Sequence, residues 1–511
     1  MAGEALTSPS IPLAFRDSAG GLNSTAAALK LEENESPDLQ NVDFNKFGSI
    51  LKRNGYTALN TSAFNSGATW TSLHWYESST ETGKLMGTCG NKLATWSTGA
   101  PSGAPTDITG ALTITAGNNN LFVWRTFLDI AFGTNGVDVP IKYSGSGNGA
   151  AMTVPTGLTK AKWLEVFSPN SYLFLANVTV SGTAHPTRVY WGDLNVQTFT
   201  DTNFNDVNRN DGQPITGMRM LGEELIIYKS RSIWKALYTG DRDIPFVFVK
   251  TRSSVGCMSG YSIQDTENGH LFLAPDGYYF FDGNNSFKVS DRITATFDTF
   301  EPSRFQYSSS CYQRQKNRYW GSFTLDGAST HNRCITWDSF NNSFSLYKGH
   351  NANCFATAEI SGVEYVFFGD FGGFAYQADT GTNDNPLNVS TAIDAYFYTK
   401  WHDYNDIVNQ KGTEHIYAYY QYNNGTLSLA YAYDFEDADT YSVSFSMSAG
   451  AALYGSAIFG TDTYVGSGGT VRRIDLTGRG RVVRFKYSNS SASETFQVNG
   501  LGALSHLETQ V

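Results

Sequence analysis

The sequence predicts an all-β protein, and three observations lead to that fold class. Charged residues make up 16% of the 511 residues and aromatic residues 14%, with 50 glycines. A hairpin pattern repeats through the middle of the chain, and longer strands of alternating polar and apolar residues follow it. Helical surfaces need more Glu, Lys, Arg and Ala than this composition supplies, whereas aromatic and β-branched residues favour strands.

The clearest copy of the repeat lies in residues 215–250. Its four strand-length runs are separated by short polar or glycine turns, and they are Ile215–Leu221, Glu224–Lys229, Ser232–Tyr238 and Pro245–Lys250. Runs of this length that are rich in β-branched and aromatic residues predict a four-stranded antiparallel meander.

The two central strands of this unit recur as seven hairpins. They are Leu85–Trp96, Ile130–Tyr143, Leu173–Trp191, Leu225–Leu237, Leu271–Phe281, Tyr319–Trp337 and Tyr365–Tyr376. Their first residues are 43 to 52 positions apart, a period typical of β-propeller blades and longer than that of a solenoid. We therefore expect a six- or seven-bladed β-propeller over residues 61–385. The count depends on whether one end unit is split between the two ends of the chain.

A C-terminal antiparallel β-sandwich is expected over residues 386–511, after a linker at Asn383–Pro386. Its predicted strands are Ala392–Trp401, His415–Tyr422, Thr426–Tyr433, Tyr441–Met447, Val471–Asp475, Arg481–Tyr487 and Glu494–Leu501. Seven alternating strands in this span are typical of a sandwich, in which one face of each strand is buried and the other is solvated.

Residues 1–60 differ from the rest of the chain. An acidic cluster at residues 32–35 precedes a basic patch that contains Lys52 and Arg53. The alanine-rich run Thr25–Leu31 predicts one short helix. We interpret the segment as an N-terminal arm that docks, or as an opening pair of strands.

The charge balance and the cysteines exclude several classes of protein. The formal net charge is −11, which argues against a module that grips nucleic acid with a basic face but not against a conduit through which DNA slides. The five cysteines have no C-x-x-C spacing, so we expect reduced thiols in a protein made in a cytoplasm. Residues 1–13 lack the pattern of a signal peptide, and no stretch approaches the ~20 apolar residues of a membrane span. We expect no membrane-spanning segment.

No motif for catalysis or metal binding stands out in the sequence. The eight histidines include no pair at i, i+4. The cluster Asp434–Asp439 lacks the glycine and the final glutamate of an EF-hand, which favours a solvated turn over a Ca²⁺ site. The loop Gly145–Gly149 is not followed by the Lys-Ser/Thr pair of a phosphate-binding loop. Carboxylates near predicted turns leave a glycosidase as an alternative, and these are Asp129, Asp138, Asp193, Asp276, Asp338 and Asp370. We expect no enzyme activity, no cofactor and no metal.

Short motifs near both ends of the chain carry a resemblance to a known family. The N-terminal motifs are Gly-Gly-Leu-Asn at Gly20–Asn23, Leu-Gln-Asn at Leu39–Asn41 and Lys-Arg-x-Gly-Tyr at Lys52–Tyr56. Near the C-terminus the matching stretches are Leu453–Gly460, Gly478–Arg481 and Phe485–Asn489. Together they resemble the tail nozzle or tail hub proteins of short-tailed bacteriophages, which include tubular tail and packaged-DNA stabilisation proteins.

The resemblance implies a virion structural protein of a bacteriophage tail, placed at the nozzle, hub or neck. Copies of the chain would form a ring, a hexamer, around the DNA channel, and this ring would retain the packaged genome and conduct it at ejection. The partners implied are other copies of the chain, virion proteins such as the adaptor, the portal and a tail fibre, and double-stranded DNA that passes through without sequence-specific binding. The protein would be made in the host cytoplasm and reside in the virion tail.

The N-terminal motifs would then dock or link subunits. The residues expected to interact are Arg16, Gly21, Asn23, Asn41, Lys52, Arg53 and Gly55. The alternative hypothesis is a propeller that binds or degrades carbohydrate, as a receptor-binding protein or a depolymerase.

Overall fold

The chain is all-β, as its composition predicts. A computed structural model describes residues 10–15, 17–80, 83–325, 327–421, 423, 425–447 and 469–507. These residues form seven four-stranded antiparallel sheets, two larger sheets and one pair of short parallel strands.

Seven short strands come first in the chain. They are β1 (Ser10–Phe15), β2 (Gly21–Leu22), β3 (Glu35–Ser36), β4 (Leu39–Gln40), β5 (Val42–Phe44), β6 (Ile50–Lys52) and β7 (Tyr56–Ala58). Strands β2 and β3 pair in parallel. Strands β1, β4, β5 and β6 join the two larger sheets, and β7 joins one of the four-stranded sheets.

The seven four-stranded sheets follow, each an antiparallel meander. Sheet 1 contains β8 (Trp70–Tyr76), β9 (Lys84–Cys89), β10 (Lys92–Thr98) and β11 (Thr106–Asp107); sheet 2 contains β12 (Val123–Phe127), β13 (Ile130–Thr134), β14 (Ile141–Tyr143) and β15 (Ala150–Ala151); sheet 3 contains β16 (Leu158–Phe167), β17 (Tyr172–Val180), β18 (Thr183–Trp191) and β19 (Phe204–Asp206). Sheet 4 contains β20 (Ile215–Leu221), β21 (Glu224–Lys229), β22 (Ile233–Tyr238) and β23 (Phe246–Lys250); sheet 5 contains β24 (Gln264–Thr266), β25 (Gly269–Ala274), β26 (Gly277–Phe281) and β27 (Ser286–Lys288); sheet 6 contains β28 (Ser310–Gln313), β29 (Arg318–Phe323), β30 (Arg333–Asp338) and β31 (Ser343–Lys348). Sheet 7 contains β32 (Cys354–Ile360), β33 (Val363–Gly369), β34 (Ala375–Ala378) and the N-terminal strand β7. Each predicted hairpin coincides with the two central strands of one sheet.

The contacts between neighbouring sheets form a closed circle. The first strands of sheets 1–7 contact one another in order, and β32 of sheet 7 contacts β8 of sheet 1. A hydrophobic cluster lies between each sheet and the next; the one that joins sheet 7 to sheet 1 contains Phe367, Trp70 and Leu85. We call sheets 1–7 the ring, a β-propeller-like arrangement.

Strand β7 joins the two ends of the ring. Tyr56 pairs with Ala378 and Ala58 with Tyr376, so β7 is the outer strand of sheet 7. The last unit of the repeat is thus split between the N-terminal segment and residues 354–378. This split is the reason that the sequence alone left the number of units open by one.

Eight strands follow the ring. They are β35 (Ala395–Tyr398), β36 (Lys411–Gln421), β37 (Thr426–Tyr433), β38 (Tyr441–Ser446), β39 (Gly469–Asp475), β40 (Arg479–Gly480), β41 (Val483–Asn489) and β42 (Gln497–Leu507). Sheet 8 has the order β39-β36-β42-β6-β5, with β1 on β42 and β40 on β36; sheet 9 has the order β38-β37-β41-β35-β4. All seven strands predicted in this region overlap an observed strand. One hydrophobic cluster joins both sheets to sheets 5 and 6.

Helical segments are few and short. They are Phe64–Gly67, Ser168–Asn170, Arg209–Asp211, Gly260–Ser262, Asp291–Ile293, Thr294–Phe297, Pro302–Tyr307, Arg314–Lys316 and Pro386–Asn388. Within the described ranges, no helix is long and apolar enough to span a lipid bilayer.

The prediction of a helix at Thr25–Leu31 is wrong, because these residues form turns and bends. The Asn23 Oδ1 accepts hydrogen bonds from the backbone N–H groups of Thr25 (3.3 Å) and Ala26 (3.0 Å). Asn side chains compete with helical hydrogen bonds in this way. A run of seven residues also forms too few helical hydrogen bonds to offset the free energy of helix nucleation by itself.

Candidate functional site

The N-terminal motifs lie where the ring meets sheets 8 and 9. We call residues 17–58 the seam, because they contact both parts of the molecule. Gly21 has φ +72°, and a Cβ atom there would lie 2.7 Å from the Ser343 Cβ and 2.8 Å from the Phe344 backbone nitrogen. Only glycine allows the seam to approach sheet 6 this closely.

Arg53 is the buried centre of the seam. Its guanidinium donates to both carboxylate oxygens of Asp384, at 2.7 and 2.6 Å, and its Nη2 also donates to the Lys348 carbonyl at 2.9 Å. The side chains of Arg53 and Asp384 are 1% and 8% exposed. A bidentate ion pair of this kind fixes the relative orientation of the two side chains as well as balancing their charges. Arg53 therefore links the N-terminal segment to sheet 6 and to the start of the C-terminal region.

Asn41 and Gly55 complete the same junction. Asn41 has φ +56°, and its Oδ1 accepts from the Arg53 Nε (2.8 Å) and the Lys348 N–H (2.9 Å), while its Nδ2 donates to the Asp394 carbonyl at 2.7 Å. A Cβ atom on Gly55 would lie 1.7 Å from the Asn383 carbonyl oxygen. Any side chain at residue 55 would therefore force the two backbone segments apart.

Asn23 and Glu35 form a second buried contact. The Asn23 Nδ2 donates to the Glu35 Oε2 at 2.8 Å. The other Glu35 oxygen pairs with the Arg292 Nε at 3.3 Å. The pair therefore attaches the first part of the seam to the short helical segment that follows sheet 5.

Lys52 is buried between sheets 8 and 9. Its ammonium group donates to the Asn489 Oδ1 at 2.6 Å and to the Ser491 carbonyl at 3.1 Å. Burial lowers the pKa of Lys52 to about 8, against the opposing effect of the Glu494 carboxylate. A lysine amine in this setting is much less basic than one in water.

Six of the seven residues expected to interact therefore meet in the seam, where their contacts are with other parts of the same chain. Arg16 and the stretch Leu453–Gly460 lie outside the described residues. Contact of the seam with another subunit stays a prediction. The sequence did not predict that Arg53 pairs with Asp384 or that Lys52 pairs with Asn489, because these partners are 331 and 437 positions apart and no local pattern connects them.

A second candidate site is a cavity on the axis of the ring. Its volume is about 680 Å³, and the first strands of all seven sheets contribute to its lining. This volume lies in the range of small-molecule sites, about 300–1,000 Å³. Its charged lining residues are Arg125, Glu165, Arg219, Asp265, Glu359 and Glu364.

The two arginines of the cavity differ in their partners. Arg125 Nε and Nη2 donate to the two carboxylate oxygens of Glu165, at 2.6 and 2.7 Å. Across the described part of the chain, no side chain or carbonyl accepts a hydrogen bond from Arg219. Burial, followed by the charge of Arg125, lowers the pKa of Arg219 to about 10, while the Glu165 and Asp265 carboxylates oppose this shift. Arg219 is a cation whose hydrogen-bond donors are available to a ligand.

One end of the cavity is covered by the segment 118–122. The Asn118 carbonyl accepts from the Asn353 Nδ2 at 3.1 Å, and the Leu121 carbonyl accepts from the Tyr261 hydroxyl at 3.0 Å. Asn353 precedes sheet 7 and Tyr261 precedes sheet 5, so the segment crosses the axis.

The turn carboxylates named from the sequence do not line this cavity. Asp193 accepts from Thr198 and Thr200, and Asp370 from the N–H groups of residues 372 and 374, so each stabilises its own loop. Asp129 accepts from Ser79, which links the turn of sheet 2 to the loop between β8 and β9. The carboxylates that the fold does bring to the axis lie on strands, where the sequence gives them no distinguishing signal.

The acidic cluster at Asp434–Asp439 is held by basic groups and backbone donors. The Asp434 Oδ1 accepts from the Arg481 N–H at 2.6 Å, and Asp439 pairs with the Lys486 Nζ at 2.9 Å. Among the residues that the structure describes, no group of three or more His, Cys, Asp or Glu side chains is arranged to hold a metal ion.

Comparisons with known proteins add little. No protein-family model and no curated protein matches the sequence. Among solved structures, the computationally designed protein Ika8 is similar with a TM-score of 0.37 and 11% identity, over 63% of this chain and 99% of its own. PorZ, an essential bacterial surface component of the type-IX secretion system of Porphyromonas gingivalis, is similar with a TM-score of 0.38 and 11% identity, over 66% of this chain. This chain spans 42% of the length of PorZ. At these scores neither likeness carries an argument about function.

Proposed function

We propose that the chain is a structural subunit of a bacteriophage tail, at the nozzle, hub or neck. The observation that carries the proposal is the seam: the motifs that resemble tail proteins are the residues that join the ring to sheets 8 and 9. The ring and sheets 8 and 9 are joined by a buried Arg53–Asp384 pair, by close backbone contacts and by shared strands. A subunit that must withstand the pressure of a packaged genome needs such a connection.

In this proposal the ring is a seven-bladed β-propeller, and sheets 8 and 9 are the C-terminal β-sandwich. The closed order of contacts between first strands supports the propeller. The cluster of buried side chains between the two larger sheets supports the sandwich.

The DNA channel would lie between subunits and not along the axis of the propeller. The axial cavity is the size of a small-molecule site, and the segment 118–122 covers one end of it. A hexameric ring of such subunits would surround the genome with walls of net negative charge, which repel phosphate and let DNA slide.

Exposed apolar turns supply surfaces for neighbouring proteins. Phe47 and Phe340 are 76% and 67% exposed, and they lie on adjacent turns, because the Asn341 Nδ2 donates to the Asn45 carbonyl at 3.5 Å. Val408, in the turn that precedes β36, is 68% exposed. Such residues favour contacts with other subunits or with the adaptor, portal and tail fibre.

Cryo-electron microscopy of the native particle, averaged over its tail, tests the proposal. We expect a hollow six-fold ring on the tail axis, with density that fits this chain and a lumen wide enough for duplex DNA. A location at the tail periphery, or absence from the purified particle, would overturn it.

The second candidate is a carbohydrate-binding or carbohydrate-degrading propeller. Arg219, without a hydrogen-bond partner among the described residues and beside the Arg125–Glu165 pair in an axial cavity, favours it. Titration calorimetry with host surface oligosaccharides tests it. Binding that R219M abolishes and the surface variant R231M retains would support this candidate, whereas equal behaviour of the two variants would exclude the cavity.

A further inference from the structure

Lys52, Asn489 and Glu494 form a compact trio between sheets 8 and 9. The Lys52 Nζ lies 2.6 Å from the Asn489 Oδ1, and the amide nitrogen of the same Asn489 side chain donates to the Glu494 Oε2 at 2.8 Å. A nucleophile thus lies on one side of a carboxamide and a proton carrier on the other.

The surroundings of the trio favour reaction over simple ion pairing. Lys52 and Asn489 are 3% and 5% exposed, so water competes weakly for either group. With a pKa of about 8, a larger share of the Lys52 amine is neutral near neutral pH than for a lysine in water. The Asn489 Nδ2 also donates to the Thr426 carbonyl at 2.6 Å, which holds the carboxamide in place.

We propose that Lys52 and Asn489 join in an intramolecular isopeptide bond, with Glu494 as the proton carrier. The neutral Lys52 Nζ attacks the Asn489 Cγ, and the new Nζ–Cγ bond forms as the Cγ–Nδ2 bond breaks. Glu494 takes a proton from the attacking nitrogen and gives it to the departing Nδ2, which leaves as ammonia. No oxidant or reductant is needed, because an amide and an amine become an amide and ammonia.

Other buried lysines in the chain have different partners. The Lys229 Nζ contacts both carboxylate oxygens of Asp211, at 2.6 and 2.7 Å, and the Val207 carbonyl at 2.9 Å. A carboxylate or a backbone carbonyl offers no ready leaving group to an amine. Lys229 is therefore a matched control for a buried lysine that stays unmodified.

The bond would connect the N-terminal strand β6 with strand β41, across residues 437 positions apart. A cross-link over a loop of this length removes many conformations from the unfolded chain. It would also hold the two ends of the chain together under load. This inference does not depend on the proposed function, since it concerns the isolated chain.

Mass spectrometry of the purified full-length protein tests the bond directly. Trypsin cuts after Lys and Arg, so the unmodified chain releases the separate peptides 47–52 and 487–511. We expect instead one branched peptide that joins residues 47–53 to residues 487–511, lighter than its parts by one ammonia molecule. Separate peptides at their sequence masses would overturn the proposal, whether or not the protein belongs to a phage tail.

Variants separate the chemistry from folding. K52M and E494Q are expected to lack the branched peptide, to keep the full mass of their sequences without loss of ammonia, and to unfold at a lower temperature. K229M should retain the branched peptide. N489D should also lack the branched peptide, because a carboxylate offers the Lys52 amine no ready leaving group. A branched peptide in E494Q at the wild-type rate would exclude Glu494 as the proton carrier.

Discussion

Arg53 is the residue on which the seam depends most. In R53A the Asp384 carboxylate would remain buried without its cation, and we expect the free energy of unfolding to fall by about 3–5 kcal/mol. Urea unfolding followed by tryptophan fluorescence measures the change.

Arg473→Ala is the matched control for this prediction. Arg473 pairs with Asp475 on the surface, where the two side chains are 54% and 76% exposed, and an exposed pair contributes about 0–1 kcal/mol. Equal losses in the two variants would mean that Arg53 does not hold the junction.

Buried histidines make the protein sensitive to acid. Burial lowers the pKa of His74 to about 3, and of His270 and His331 to about 4, from 6.5 in the unfolded chain. Their stabilising contribution is complete above pH 6.5 and is lost as the pH falls towards 4, because only the unfolded chain binds the protons. Between these pKa values, each histidine adds about 1.4 kcal/mol per pH unit to the fall in the free energy of unfolding.

Urea midpoints at pH 7, 6 and 5 check this dependence. H270Q should have a shallower slope than the wild type by about one proton. Burial raises the pKa of Asp338 and Asp370, which acts in the opposite direction nearer pH 4. A free energy of unfolding that stays constant between pH 7 and 5 would contradict the lowered pKa values of these histidines.

At the scale of elements, the sequence predicted the seven hairpins because each is local. A tight turn such as Asp276-Gly277 and its two flanking apolar runs are contiguous, so alternation and turn chemistry are enough to find them. The seam could not be found in this way. Strands of two or three residues such as β4 and β6 show no period, and they pair with β35 and β42, which are more than 300 positions away.

The same limit applies to the candidate sites. The importance of Asn41 and Gly55 was suggested by motif resemblance, but their contacts with Asp394 and Asn383 are tertiary. Glu165 and Arg219 lie on alternating strands like many others. The packing of sheet 3 against sheet 4 brings these two side chains to one cavity.

Gly55 gives a prediction at the scale of the junction between segments. Its N–H donates to the Gly381 carbonyl, and its carbonyl accepts from the Thr380 N–H, both at 3.0 Å. In G55A the methyl group would collide with the Asn383 carbonyl, and we expect a loss of about 2–4 kcal/mol in the free energy of unfolding.

Gly502→Ala is the control, since a Cβ there would meet its nearest atom at 3.7 Å, an ordinary contact. Urea titration of both variants decides the matter. If G55A is as stable as G502A, then the loop at residues 379–385 moves easily and the junction is not rigid.

At the scale of the whole molecule, shared strands predict that the ring and the two larger sheets unfold together. Strand β7 belongs to sheet 7, while β1, β5 and β6 belong to sheet 8, and one hydrophobic cluster runs through sheets 5, 6, 8 and 9. Differential scanning calorimetry should show one endotherm, with agreement between the calorimetric and van 't Hoff enthalpies. Two separated endotherms would show that the parts are independent.

The position of β7 also bears on how the protein is synthesised. Ala58 pairs with Tyr376, which the ribosome adds 318 residues later. At about 5–20 residues per second, the early strand waits on the order of 15–60 s for its partner. A chain released before residue 376 lacks the strand that β7 needs and exposes an open sheet edge. Closure of the ring therefore requires that translation reach residue 378.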